Sequence, residues 1–122
     1  MRTFGEFISL KRKEKRITLK AMAEELEIST PYMSDVEKGR RYSFDLDKLE
    51  KISKILNMSE EEKNEMMDLA GKQREEVAPD LPEYINSTPA VSVALRKARD
   101  LNLGEKEWYE FIEKLENDER KD

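Results

Sequence analysis

The sequence contains no cysteine and no histidine. Without cysteine there is no disulfide framework and no thiolate nucleophile. Without histidine the commonest metal ligand and the commonest general base are missing. No Gly-rich phosphate loop is present, and no carboxylate pair goes beyond what exposed helices carry. Glu60-Glu61-Glu62 sits where acids in a first helical turn answer the helix dipole. Met66-Met67 reads as flexible core filler. These absences predict a protein that is not an enzyme and holds no metal and no cofactor. No apolar run approaches the ~18 residues of a membrane span. The opening MRTFGEFISLKRKEK lacks the apolar region and cleavage site of a secretory signal, so a cytoplasmic, nucleoid-associated protein without membrane contact is expected.

What the sequence has is charge, at 42% of its 122 residues, with a net of −5. Such a balance argues against a nucleic-acid partner until its distribution is considered. Residues 1–57 sum to +3 and residues 58–122 to −8. Lys11, Arg12, Lys13, Lys15, Arg16 and Lys20 cluster in the first half. At 0.1 M salt the screening length is ~10 Å, so a basic surface and an acidic module act independently.

Helical periodicity runs through nearly every segment, and an all-α fold is predicted. A first helix spans about Thr3–Lys15, with Phe4, Phe7 and Ile8 on one stripe. Thr18 caps a second helix carrying Met22, Ala23 and Leu26, and Glu27-Ile28 turn the chain. Ser29 or Thr30 caps a third helix over 30–38, with Pro31 in its first turn and Gly39 as its stop. A loop over 40–45 leads to a fourth helix at about Asp45–Leu56. Ser59-Glu60-Glu61-Glu62 is a capping-box pattern opening a fifth helix that is expected to stop at Gly71. The expected division is a five-helix domain over 1–71, a linker over 72–88 with one helical turn at Pro82–Ile85, and a helical module over 89–122. That module places Val91, Leu95, Ala98 and Leu101 on one helix and Trp108, Phe111, Ile112 and Leu115 on the next. The closing DERKD is expected to fray. Chains below ~40 residues rarely fold unaided. Val91, Leu95, Leu101, Trp108, Phe111, Ile112 and Leu115 are therefore expected to pack on another chain, making a homodimer.

Residues 4–57 resemble the lambda-repressor-like helix-turn-helix proteins of the XRE family. The likeness is strongest from Met22-Ala23 through Ile28-Ser29 to Val36-Glu37-Lys38-Gly39-Arg40, and the family's apolar–Gly opening is met by Phe4-Gly5. The resemblance implies a five-helix domain that inserts its third helix into the DNA major groove. It implies a structural ion pair between Arg12 and Glu37, since a Glu at a helix C-terminus opposes the dipole unless a cation answers it. By position, Ser29, Thr30, Pro31, Tyr32 and Asp35 fall where the family reads bases or grips the backbone. Thr30 and Pro31 suit thymine methyls, and Asp35 suits cytosine N4. Ser29, Tyr32, Lys38, Arg40 and Arg41 suit phosphates, with Ser34 a weaker candidate. The alternatives are that Tyr32 packs on the loop and Asp35 faces solvent.

Two positions depart from the family. Leu19 stands where Gln commonly touches phosphate, which shifts that contact to Lys20, Thr18 or backbone. Glu27 stands where Gly commonly turns, and is tolerated if a neighbour absorbs the strain. The order Thr18-Leu19-Lys20, then Ile28-Ser29-Thr30-Pro31-Tyr32-Met33-Ser34-Asp35, looks like the DdrO-type repressors. Leu81-Pro82-Glu83-Tyr84-Ile85 and Glu107-Trp108-Tyr109-Glu110 look similar to their C-terminal part. That likeness implies a dimerising C-terminal domain and a partner metallopeptidase of the ImmA/IrrE type. The expected function is a dimeric repressor on a double-stranded operator. The alternative is an antitoxin or phage-type adaptor whose acidic C-terminal helices bind a protein such as a toxin.

Overall fold

A computed structural model of the chain describes residues 2–118, so the expected fraying of the last residues falls, for 119–122, outside the described part. The described residues form eight α-helices and no strand. They are α1 (Phe4–Glu14), α2 (Leu19–Glu25), α3 (Thr30–Glu37), α4 (Leu46–Ile55), α5 (Glu60–Gln73), α6 (Pro82–Ser87), α7 (Pro89–Asp100) and α8 (Glu105–Asn117). The chain divides into two compact units, Met1–Pro82 and Glu83–Asp122. None of the described helices is long and apolar enough to cross a membrane.

In the first unit, side-chain oxygens start every helix from α1 to α5. Thr3, Thr18, Ser29, Asp45 and Ser59 each accept from the backbone N–H three residues on. Thr3 and Ser59 complete reciprocal capping boxes with Glu6 and Glu62. Apolar stripes from all five helices then meet in one core. Phe4, Phe7, Ile8, Met22, Leu26, Met33, Val36, Leu49, Ile52, Leu56, Met66 and Met67 are almost fully buried. α2 packs on α3, and α1 packs on both α3 and α5.

Gly5 explains the closeness of α1 to α3. A Cβ there would sit 2.6 Å from the Val36 carbonyl oxygen and nearer still to that of Glu37. Gly71 has the same role elsewhere and is not a helix stop. A Cβ would meet the Val77 carbonyl oxygen at 2.6 Å, because the segment after α5 folds back onto it and buries Ala78. The helix continues to Gln73, with Glu75 in the left-handed region just beyond the cap at Arg74.

The second unit contrasts sharply. Only Ala98 is buried among the described residues of Glu83–Asp122. α6 is a full six-residue helix rather than a single turn. Pro89 opens α7 as expected, but Thr88 makes no side-chain cap hydrogen bond.

Candidate nucleic-acid interface

The third helix owes its presentation to its two ends. At the N-terminus Ser29 Oγ accepts from Tyr32 N–H at 3.1 Å, so Ser29 rather than Thr30 is the cap. Pro31 lies in the first turn, where a missing N–H leaves nothing unpaired. Met33 and Val36 are buried, which fixes the helix's rotation. Ser29, Pro31 and Tyr32 are thereby left exposed, and Thr30, Ser34 and Asp35 half-buried. At the C-terminus Gly39 takes φ 78°, and Arg40 N–H returns to the Asp35 carbonyl at 2.8 Å. Lys38, Arg40 and Arg41 leave this turn exposed.

The ring of Tyr32 is sandwiched. It stacks on Phe44 at 6.0 Å with 17° between planes, and the Arg41 guanidinium lies 4.8 Å above its centroid. Tyr32 therefore packs on the 40–45 loop and remains 36% exposed. Asp35 does not simply face solvent. Arg40 Nη1 lies at 3.8 Å and Arg41 Nε at 4.0 Å from its carboxylate, so its charge is met by two cations at loose range.

Thr18 caps α2 through Ala21 N–H at 3.0 Å and is exposed beside the exposed Lys20. Leu19 is half-buried against the core, which accounts for an apolar residue at that position. Glu27 itself adopts φ 58°, so no neighbour takes the strain of this turn. The turn is closed by Ile28 N–H to the Ala23 carbonyl at 3.0 Å.

Arg12 and Glu37 meet in a bidentate pair. Arg12 Nε donates to Glu37 Oε2 at 2.7 Å and Nη2 to Oε1 at 2.9 Å, while Nη1 donates to the Ile17 carbonyl at 2.8 Å. Donating to the Glu37 carboxylate holds the Arg12 guanidinium's pKa above its ordinary value. The pair ties α1 to the end of α3 and lies away from solvent, with 10% and 8% of the two side chains exposed.

Residues 8–63 match the family model described as Helix-turn-helix. The match covers under half of the chain, and the segment resembles a helix-turn-helix domain. Helix-turn-helix domains are DNA-binding modules, and α2 and α3 are the two helices joined here by the turn at Glu27-Ile28. A solved SinR protein/SinI protein complex is similar over 93% of this chain and 95% of that chain, at 21% identity and a TM-score of 0.47. No curated protein matches the chain.

Sequence reading missed the residues that shape the loop behind α3. Phe44 is buried under Tyr32, and Ser43 and Tyr42 are tied to Gln73 and Arg74 at the end of α5. Phe44 was the available signal, as an apolar side chain in an otherwise polar loop. Gln73 and Arg74 gave none, because a polar pair at a helix end is ordinary.

Proposed function

We propose that this protein is a sequence-specific transcriptional repressor that binds its operator as a homodimer. The observation that carries the reading is the exposed N-terminal end of α3, together with Lys38, Arg40 and Arg41 exposed at the turn that closes the helix. Thr30 and Pro31 offer methyl and ring carbons to thymine methyls, and Asp35 offers an acceptor to cytosine N4. Ser29 and Thr18 use their oxygens as caps but keep a hydroxyl proton to donate to phosphate. Tyr32, Lys20, Lys38, Arg40 and Arg41 supply backbone contacts, with Ser34 behind them. One such helix reads few base pairs. Two on a symmetric dimer read half-sites about 34 Å apart and reach useful specificity.

The dimer reading is supported by the second unit. Leu95, Leu101, Phe111, Ile112 and Leu115 are all more than 40% exposed, and Val91 and Trp108 are half-buried. That much apolar surface favours a protein partner. The same observation favours a second reading, an antitoxin or phage-type adaptor in which a toxin or an ImmA/IrrE-type metallopeptidase covers these helices.

The test is fluorescence anisotropy on a duplex selected by the protein from a random pool, at two salt concentrations, against random competitor. Tight, salt-sensitive binding that collapses in a Tyr32→Ala/Arg41→Ala variant is the expected result. Selection that enriches no sequence would overturn the repressor reading and leave the protein-partner reading standing.

A further inference from the structure

The loop over 40–45 carries Arg40 and Arg41 and underlies Tyr32, yet it has no regular secondary structure. It is tied to the last turn of α5. Gln73 spans it, accepting from Ser43 N–H through Oε1 at 2.7 Å and donating from Nε2 to the Arg41 carbonyl at 3.3 Å. Arg74 Nη2 donates to the Ser43 carbonyl at 2.5 Å, and its guanidinium covers the Tyr42 ring at 5.4 Å. Ser43 Oγ donates to the Ala70 carbonyl at 3.3 Å. Ser43 and Phe44 are thereby held buried, and Phe44 in turn carries the Tyr32 ring on which Arg41 lies. An unbroken path of contacts runs from Gln73 to both Tyr32 and Arg41.

Gln73 and Arg74 lie beyond the helix-turn-helix segment, which ends at residue 63. Building on the DNA-reading function proposed above, we infer that they are positioning residues for operator binding. They hold the Arg41 backbone and the Tyr32 ring in the arrangement that meets phosphate, without themselves contacting DNA. A loop fixed before encounter loses less freedom on binding than one ordered by the DNA. The DNA-reading apparatus thus extends to the end of α5, into the connector that leads to the second unit.

The test uses the full chain, its selected operator and a double-mutant cycle. Gln73→Ala is expected to lower operator affinity about tenfold, as for one lost hydrogen bond. It is expected to reduce the slope of log affinity on log salt by about one phosphate contact. Thermal unfolding reports any general loss of stability separately. Combined with Arg41→Ala, the variant should lose less than the sum of the two single losses, because Gln73 acts in part through Arg41. Additive effects, or wild-type affinity and salt slope in Gln73→Ala, would overturn the positioning role while leaving DNA binding intact. A wild-type protein that selects no operator would instead overturn the DNA-reading function on which the role depends.

Discussion

Arg12 illustrates how one side chain can serve an interface without belonging to it. Each of its three nitrogens donates to Glu37 or the Ile17 carbonyl, and only 10% of the side chain is exposed, so the group is engaged inside the fold. Removing one partner strands the other charge in a low-dielectric site. Arg12→Ala is therefore expected to destabilise the first unit by about 3–5 kcal/mol. An Arg12→Met/Glu37→Leu pair should recover most of that loss. Urea unfolding of the single and paired variants checks both expectations, and a paired variant as unstable as the single one would contradict them.

Glu62 makes a prediction of the opposite kind, on pH. Lys11 Nζ lies 2.7 Å from its carboxylate, and together with the Ser59 backbone N–H it lowers the Glu62 pKa from 4.5 to about 2. A depressed carboxylate contributes stability above its unfolded pKa and loses it as pH falls through the folded one. That contribution is complete above about 4.5 and fades towards about 2. Glu62→Gln should flatten the dependence of Tm on pH across this window, measured by thermal denaturation between pH 2 and 6.

At the scale of elements, the helix starts were legible and the helix ends less so. Thr18, Ser29 and Ser59 announce their helices because a short side-chain oxygen before an apolar stripe has one obvious use. The ends hide because they rest on backbone geometry that most side chains can be forced into. Arg16, Glu27, Asn57, Glu75 and Asn102 all take positive φ, and Gly39 is the glycine among these ends. At each, the next residue's N–H reaches back five positions, as Ile17 to Arg12, Ile28 to Ala23 and Met58 to Ser53. This is the Schellman arrangement, and it is built here largely without the residue that fits it best.

The left-handed region costs an L-residue about 1–2 kcal/mol, and glycine gives back about 0.4–1 kcal/mol through its freer unfolded chain. Glu27→Gly should thus stabilise by up to about 1 kcal/mol. Gly39→Ala, which meets nothing within 4 Å, should destabilise through φ alone, by about 1 kcal/mol. Calorimetric Tm values of opposite shift are the expected pair. Gly71 misleads by the same logic in reverse. A glycine near a helix end suggests a stop, whereas here it makes room for Val77, a contact between residues that periodicity does not relate.

The geometry of the candidate site was legible along α3 because register on one helix follows from a cap, a proline and two buried apolar residues. It was illegible in the loop, where Gln73 reaches Arg41 across a separation of 32 residues.

Across the whole molecule, burial is distributed unevenly between the two units. The first unit closes its core within itself, and the second unit leaves most of its large apolar side chains exposed among the described residues. Such a division suits a DNA reader joined to an assembly module, in which the second unit contributes by linking two readers. Linking two binding sites raises apparent affinity by roughly 10²–10⁴ without any new contact to the ligand. Leu95→Asp together with Ile112→Asp places charge on that uncovered face, where neither side chain supports the first unit's core. Sedimentation velocity should then show dimers for the wild type and monomers for the variant. Operator affinity should fall on the order of 10²-fold or more, while the unfolding transition of the first unit keeps its midpoint. A variant that stays dimeric would place the self-association surface elsewhere. A monomer that still grips the full operator at wild-type strength would show that one α3 suffices, and would remove the need for symmetry in the proposed mechanism.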